Sequence, residues 1–272
     1  VKRPPARPKV DHELRVGALA HYEDATYYAR AYRDRHDDVA FYVGEAIANG
    51  GPVLEYGCGS GRITLPMARA GVEVFGVDWS EPMLAALDQA LLAEAPTVRA
   101  RVKTRRGDMR EVRINRKFPL VFATFNVVLH LYDRHDLARF LARVRGHLAP
   151  GGRLVFDTST PFPSDLARDP SRAYTMRPFV HPTRKEKVRY AERFDYDPLR
   201  QILFVSMEFT PERGEPFVTP LAHRQWFPAE LEAMLHYEGF EVLARAGGFS
   251  GEPLDANADV IVWTARPKRR AR

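Results

Sequence analysis

Cysteine occurs once in the 272 residues, at Cys58, so no intrachain disulfide can form and an oxidising compartment gains no support. A small side chain between two glycines suits a turn; a reactive thiol is the other reading of that position. No apolar segment backs the basic N-terminal residues, so no secretory signal is expected. The longest apolar stretch, Phe118 to Leu131, is broken by Pro119, Asn126 and His130 and is too short and polar to cross a bilayer. A cytoplasmic location without membrane association is the expectation. His21, His36, His135 and His181 stand in polar contexts without ligand spacing, so no metal is expected. Internal repeats are also missing.

The chain has 45% hydrophobic and 28% charged residues, the composition of a globular protein large enough to bury a substantial core. Lys and Arg outnumber Asp and Glu by 41 to 35, a net charge of +6. Much of the excess lies at the ends, in Lys2, Arg3, Arg7 and Lys9 and in Lys268, Arg269, Arg270 and Arg272. Such runs read as disordered ends, with a nucleic-acid arm as the alternative. Charge therefore says little about substrate.

The most informative stretch is Val53-Leu-Glu55-Tyr-Gly57-Cys58-Gly59-Ser-Gly61-Arg62, a strand breaking into a glycine turn. The dinucleotide fingerprint G-x-G-x-x-G rests a pyrophosphate on a helix N-terminus. Here the third glycine comes one residue early, and Glu55 stands before the loop. A carboxylate there repels a pyrophosphate but suits an ammonium or sulfonium, which points from NAD toward S-adenosylmethionine (SAM). Arg62, after the turn, either approaches the cofactor carboxylate or faces solvent. Residues 62–70 carry helix formers, and 72–77 alternates into a strand ending at Asp78. That acid lies about twenty residues beyond Gly57, where doubly wound folds place a carboxylate on ribose hydroxyls.

Strands and helices continue to alternate through residues 81–93, 102–106, 118–124, 135–148 and 153–157, the rhythm of βαβ units and a parallel sheet. The expected fold is α/β, a Rossmann-like doubly wound, mostly parallel seven-stranded sheet with an antiparallel β insertion after the fifth strand. Residues 1–10 read as a disordered basic lead, 11–49 as a helical cap, and 50–158 with 226–266 as the SAM-binding core. Residues 159–225 read as a β-rich substrate lid and 267–272 as a basic tail. Within the lid, 158–182 reads as loop, while 187–194, 201–210 and 217–225 read as strands. A helix over 228–237 and strands at 239–244 and 259–265 close the chain.

At this point the chain resembles the class I SAM-dependent methyltransferases. Glu55 to Gly61 is similar to their first motif, and Gly76-Val-Asp78-Trp79-Ser80 with Met83 to their second. Gly107-Asp108-Met109-Arg110 resembles the turn whose acid accepts from the adenine amine while the next residue packs on the ring. Leu148 to Asp157 resembles the passage from helix to fifth strand. Phe125-Asn126-Val-Val-Leu-His130 is similar to the small-molecule N-methyltransferase branch, which includes glycine or sarcosine and amino-sugar enzymes. The resemblance implies that Phe125, Asn126 and His130 face the cofactor's methionine end or the substrate, and that tyrosines of the first helices, Tyr22 among them, roof the pocket. Asp157-Thr-Ser-Thr160 has no arginine where glycine methyltransferases hold the substrate carboxylate, which argues against glycine.

Methyl transfer is an in-line displacement that needs positioning and exclusion of water more than a catalytic constellation. An amine must be neutral and a hydroxyl must lose its proton, so His130 or Tyr28 is a candidate base. A structural histidine touching only cofactor is the other reading of His130. Tyr28 and Tyr32 can contact cofactor or substrate through ring and hydroxyl, or pack in the core. His223, Arg224 and Trp226, where the inserted strands rejoin the core, can bind an acidic substrate group or pack at the boundary. The function read is methylation of a small molecule at an amine or hydroxyl by a monomer or homodimer. A nucleic-acid methyltransferase and a non-catalytic SAM-binding protein are the alternatives. The first draws on the basic ends and a pI near 9.5, but lacks an [Asp/Asn/Ser]-Pro-Pro-aromatic motif after the fourth strand. The second is left open by any intact cofactor motif.

Overall fold

The computed structural model describes residues 12–268. The expected basic lead at 1–10 lies outside the described residues, as does the tail beyond Lys268. The chain opens with α1 (His12–Gly17), a 3-10 turn (Ala20–Tyr22), α2 (Ala25–Ala31) and α3 (Asp37–Asn49). The Asp24 carboxylate caps α2 by accepting from the Tyr27 N–H at 2.8 Å, and α3 stops at Gly50, whose φ of +68° suits a left-handed cap.

Next come β1 (Val53–Tyr56), α4 (Thr64–Arg69), β2 (Val74–Asp78), α5 (Glu81–Leu92), α6 (Pro96–Arg99), β3 (Val102–Arg106) and β4 (Phe118–Ala123). A 3-10 turn (Val127–His130), α7 (Arg134–His147) and β5 (Leu148–Ser159) complete the half that carries the motifs. Ser80 caps α5 through the Met83 N–H, and Asp133 caps α7 through the Asp136 N–H. The chain then forms α8 (Pro163–Leu166), β6 (Tyr174–Val180), β7 (Lys187–Asp197), β8 (Ile202–Pro211) and β9 (Phe217–Arg224). It closes with α9 (Pro228–Tyr237), β10 (Phe240–Ala246) and β11 (Val260–Pro267).

A seven-stranded sheet runs β10-β11-β5-β4-β1-β2-β3. Only β11 runs against its neighbours; β1, β2, β3, β4 and β5 are mutually parallel. Both faces are covered, so the central strands are continuous apolar runs. Leu54, Val121, Leu154 and Phe156 pack under α7 and α9, while Val53, Leu120, Phe122 and Val155 pack under α3 and α4. The strand order reverses between β1 and β4, which opens a crevice at their C-terminal ends.

A second, antiparallel sheet runs β6-β7-β8-β9. Its first strand corrects the expectation of loop over 158–182. β6 is an exposed edge strand whose register shifts between Met176 and Phe179, around Pro178. An edge at a bulge is where a strand tolerates proline. Strand β9 lies against the turns at 20–22 and 127–130, bringing the second sheet over the crevice. Gly17 allows α1 to approach the same strand, since a Cβ there would stand 2.7 Å from the Ala222 Cβ.

Candidate active site

The glycine turn leaves β1 with φ of +69°, +52° and +90° at Gly57, Gly59 and Gly61, values that favour glycine. Space matters as much as conformation: a Cβ on Gly57 would lie 2.1 Å from a Val127 methyl, and one on Gly61 2.4 Å from Leu87. The Gly57 and Cys58 N–H groups both donate to the Val77 carbonyl, at 2.7 and 3.2 Å, tying the turn to β2. The Cys58 side chain wedges against Gly76, and burial pushes its thiol well above the usual range. It is a packing group, and only its backbone belongs to the turn.

Two carboxylates stand at the strand ends. Glu55 is 1% exposed, accepts from the Thr64 hydroxyl at 2.6 Å, and is pushed by burial up to about 8. Asp78 accepts from the Gly59 N–H with Oδ2 and the Ser80 N–H with Oδ1, both at 2.8 Å, and burial raises it. Beside Asp78 the Trp79 indole is 51% exposed, while Met83 lies buried under Gly59.

Asp108 follows β3. Burial would raise its carboxyl, but the Arg110 guanidinium donates to both oxygens and holds it below the usual range. Met109 is half-buried against the main core. Arg62, expected at the cofactor carboxylate or in solvent, is mostly buried and lines a cleft with Tyr28, Ser60 and Gly61. It makes a two-pronged ion pair with buried Asp38, at 2.8 and 2.5 Å, and lies over the Phe125 ring. Asn126 turns from the crevice: its amide donates to the Ser159 hydroxyl and its oxygen accepts from the Ser159 N–H.

Phe125 and Asn126 have φ of +58° and +63°, uncommon for side-chain-bearing residues. Asp157 at the end of β5 holds them, accepting both of their N–H groups and the Tyr42 hydroxyl, while burial raises its carboxyl to about 6. Neither Asp157 nor Tyr42 is marked by a motif that points to this work, because the bonds span 31 or more residues.

Beyond Phe125 lies a packed cluster of neutral rings, called the chamber below. The Tyr132 hydroxyl donates to the Ala222 carbonyl at 3.0 Å, so the His130 Nδ1–H donates to Tyr132 at 3.4 Å. That tautomer leaves His130 Nε2 to accept the Tyr22 hydroxyl at 2.7 Å. Burial, with His21 nearby, pushes His130 down to about 4. His223 approaches it with ring centroids 4.9 Å apart, and burial drives it well below its ordinary value. Its Nε2 is buried without a partner.

His21 overturns the reading of a polar context: it is buried, its Nε2 meets the Tyr32 hydroxyl at 2.9 Å, and the edges of Tyr22, Tyr28 and Tyr32 surround it. Burial pushes it down to about 4. The Tyr22 and Tyr28 phenols are raised by burial, and Tyr32 to about 12. His181 is also buried, stacked on Tyr27 away from this chamber.

The period-2 alternation of β9 separates His223 from Arg224. Arg224 pairs with Glu230 at 2.7 Å and lies over the Trp226 ring. Trp226 is buried in the core and donates from Nε1 to the Leu131 carbonyl at 3.1 Å. Neither side chain joins these rings, an arrangement that matches the boundary-packing alternative for both. Tyr132 and His21 were missed, for both acquire their roles from partners distant in the chain.

A nucleoside with vicinal hydroxyls fits the edge at Asp78, where each carboxylate oxygen accepts one backbone N–H and retains a lone pair beside an open indole. The turn holds Gly59 on that carboxylate, and Glu55, raised by burial to about 8, is a carboxyl whose charged form a sulfonium would favour. The order of elements and this donor set define a SAM-binding α/β fold. Residues 53–152 match the methyltransferase domain family. The chain is 26% identical over 213 residues to a cypemycin N-terminal methyltransferase from Streptomyces sp, covering 77% of this chain and 80% of that one. It superposes on the CcbJ methyltransferase from Streptomyces caelestis with a TM-score of 0.78 and 26% identity, over 92% and 99% of the two chains. A dTDP-3-amino-3,4,6-trideoxy-alpha-D-glucopyranose N,N-dimethyltransferase from Streptomyces venezuelae is 27% identical over 136 residues, about half of each chain. Residues 53–152 form the domain of a class I SAM-dependent methyltransferase, and SAM is the cofactor. Among the described residues no helix is long and apolar enough to cross a membrane.

Proposed function

We propose that the protein methylates an amine of a small molecule held in the His-Tyr chamber beneath the second sheet. The observation that carries this reading is the neutrality of that chamber. His21 and His130 lie near 4, and Tyr22, Tyr28 and Tyr32 lie above their ordinary range, so none of these groups takes a proton readily near pH 7. An alcohol or phenol must lose its proton to attack, whereas an uncharged amine attacks as it is. The chamber therefore favours an amine. Two of the relatives are named for N-methylation, which supports the same acceptor class.

In this reading SAM supplies an activated methyl on a sulfonium. Asp78 accepts from ribose hydroxyls, Trp79 and Met83 flank the adenine, and Gly57, Cys58, Gly59 and Gly61 let the backbone approach the cofactor. Glu55 balances the positive charge. Asp108 and Met109 lie at the adenine end, with Asp108 shared between cofactor and Arg110. Phe125, Asn126, Tyr32 and Arg62 shape the wall at the methionine end; Arg62 and Asn126 act by bracing it, given their bonds to Asp38 and Ser159.

His130 orients rather than deprotonates. It fixes Tyr22 as a donor to Nε2, leaving the phenol's lone pairs to receive an acceptor N–H or O–H. Tyr28 and His223 complete the walls, and the unpartnered His223 Nε2 is a ready contact for the acceptor. Residues 11–49 serve as cap, 50–158 with 226–266 as cofactor core, and 159–225 as the lid that sets specificity.

A labelled-methyl screen over amines, phenols, amino sugars and RNA tests the proposal. Transfer to small amines is expected. Transfer confined to RNA, or to phenols with none to amines, overturns it.

A further inference from the structure

Away from the crevice, a cavity of about 410 Å³ lies between the segment following β3 and one face of α7. Arg110, Arg113, Arg139 and Arg143 line it, with Glu111 as its one acid. Two of these arginines are fixed. Arg110 bridges Asp108 and Asp136, and Arg139 reaches Glu111 at 2.5 Å and Asp136 at 3.6 Å. The three carboxylates Asp108, Glu111 and Asp136 are spent on those two guanidinium groups. Arg113 and Arg143 have no ion-pair partner among the described residues.

The free pair is held on a firm base. Arg113 stands between buried Val112 and half-buried Ile114, whose N–H donates to His147 Nε2 at 3.0 Å. Arg105 donates from Nη1 to the Arg113 carbonyl at 2.8 Å, fixing the backbone that carries Arg113. Arg143 and Ala142 belong to the same turn of α7 as Arg139. The positive field is felt inside: burial lowers His147 to about 4, and Arg143 and Lys117 add to it. Several guanidinium forks converging from two rigid elements, in a cleft of this volume, match the bidentate demands of phosphate oxygens.

We propose that this Arg113–Arg143 cavity is a binding site for the diphosphate group of a soluble small molecule, separate from the methyl-transfer chamber. The inference goes beyond the proposed methylation and does not rest on it. Arg113 and Arg143 neutralise the ligand's charge, while Arg110 and Arg139 present oriented N–H groups. Arg110 also holds Asp108, so a ligand drawing on Arg110 touches the adenine end of the crevice.

The test is calorimetry on the full chain at about 20 mM salt, where exposed charges are least screened, with inorganic pyrophosphate, ADP and a phosphoserine peptide as probes. Pyrophosphate and ADP are expected to bind with one-to-one stoichiometry. Arg113→Ala with Arg143→Ala should weaken both by about tenfold or more, while SAM affinity and melting temperature hold. A control pair on the neighbouring surface, Arg99→Ala with Lys103→Ala, should change binding less than about twofold. Failure of pyrophosphate to bind, equal losses in the two pairs, or binding of the phosphopeptide alone overturns the proposal.

Discussion

The two sides of the crevice solve opposite electrostatic problems. On the cofactor side Glu55, Asp78 and Asp157 are carboxylates taken out of water, each compensated by hydroxyl or backbone donors. On the side proposed for the acceptor, His21, His130 and His223 are taken out of water as neutral bases among phenols. Burial is shared; charge is not. A site that attracts a sulfonium needs negative charge at a defined place, whereas a site that receives an uncharged amine is best left without a competing acid or base. The difference also separates the kinds of damage each side tolerates.

Asp78→Ala is the hardest blow to the charged side. A charge-assisted hydrogen bond contributes roughly 1.5–3 kcal/mol, and each 1.4 kcal/mol is about tenfold in affinity. Loss of two ribose contacts should weaken SAM by on the order of 100-fold or more. Calorimetry reads this directly; affinity within about threefold of the unaltered chain would detach Asp78 from the cofactor.

His130→Ala strikes the neutral side. The Tyr22 hydroxyl loses its acceptor, and turnover should fall about thirtyfold, within the roughly 1–3 kcal/mol of an unmet buried polar group. SAM affinity should stay unchanged. With the histidine near 4, the rate at saturating SAM between pH 6 and 8 should follow only the acceptor amine's own titration in both proteins. A limb in that window that disappears with His130 would make the residue a base and break the contrast.

Glu55 gives a pH-dependent version of the same comparison. Its folded-state value, about 8, lies above the ordinary 4.5, so the fold favours the protonated acid. Its stabilising contribution is full below about 4.5 and is lost as pH rises through 8. A bound sulfonium prefers the carboxylate, so SAM affinity should climb from pH 6 to 8 by about tenfold, with release of a proton. Glu55→Gln should flatten that climb. A profile equally steep in the variant assigns the effect elsewhere.

How much of this was legible follows the range of the interactions. The glycine turn, Asp78 and the alternation through β5 rest on neighbours in sequence or on one βαβ unit, and the residues announce them. The acceptor side is assembled from afar: Tyr22 meets His130 across 108 residues and Tyr132 meets Ala222 across 90. His21 looked polar because its buried surroundings come from rings that α2 folds around it. The αL pair at Phe125 and Asn126 was invisible because Asp157 imposes it from β5. Strand β6 escaped because an exposed edge carries no buried alternation. Arg224 and Trp226 kept two readings for a related reason: polar and aromatic residues at a junction look alike whether they face a ligand or lock the junction.

Trp226→Phe distinguishes those two cases and carries the smallest expected effect. The indole fills core volume and bonds the Leu131 carbonyl, next in chain to His130. Phenylalanine keeps most of the packing but leaves that carbonyl without its donor, at a cost of about 1–3 kcal/mol. Denaturant unfolding should register a loss of roughly 2 kcal/mol, while turnover should change by no more than about threefold, because His130 remains held by Tyr22 and Tyr132. If stability instead holds and turnover falls as far as it does on loss of His130, the indole acts on the acceptor, and the boundary drawn here between the neutral chamber and the core beneath it shifts by one side chain.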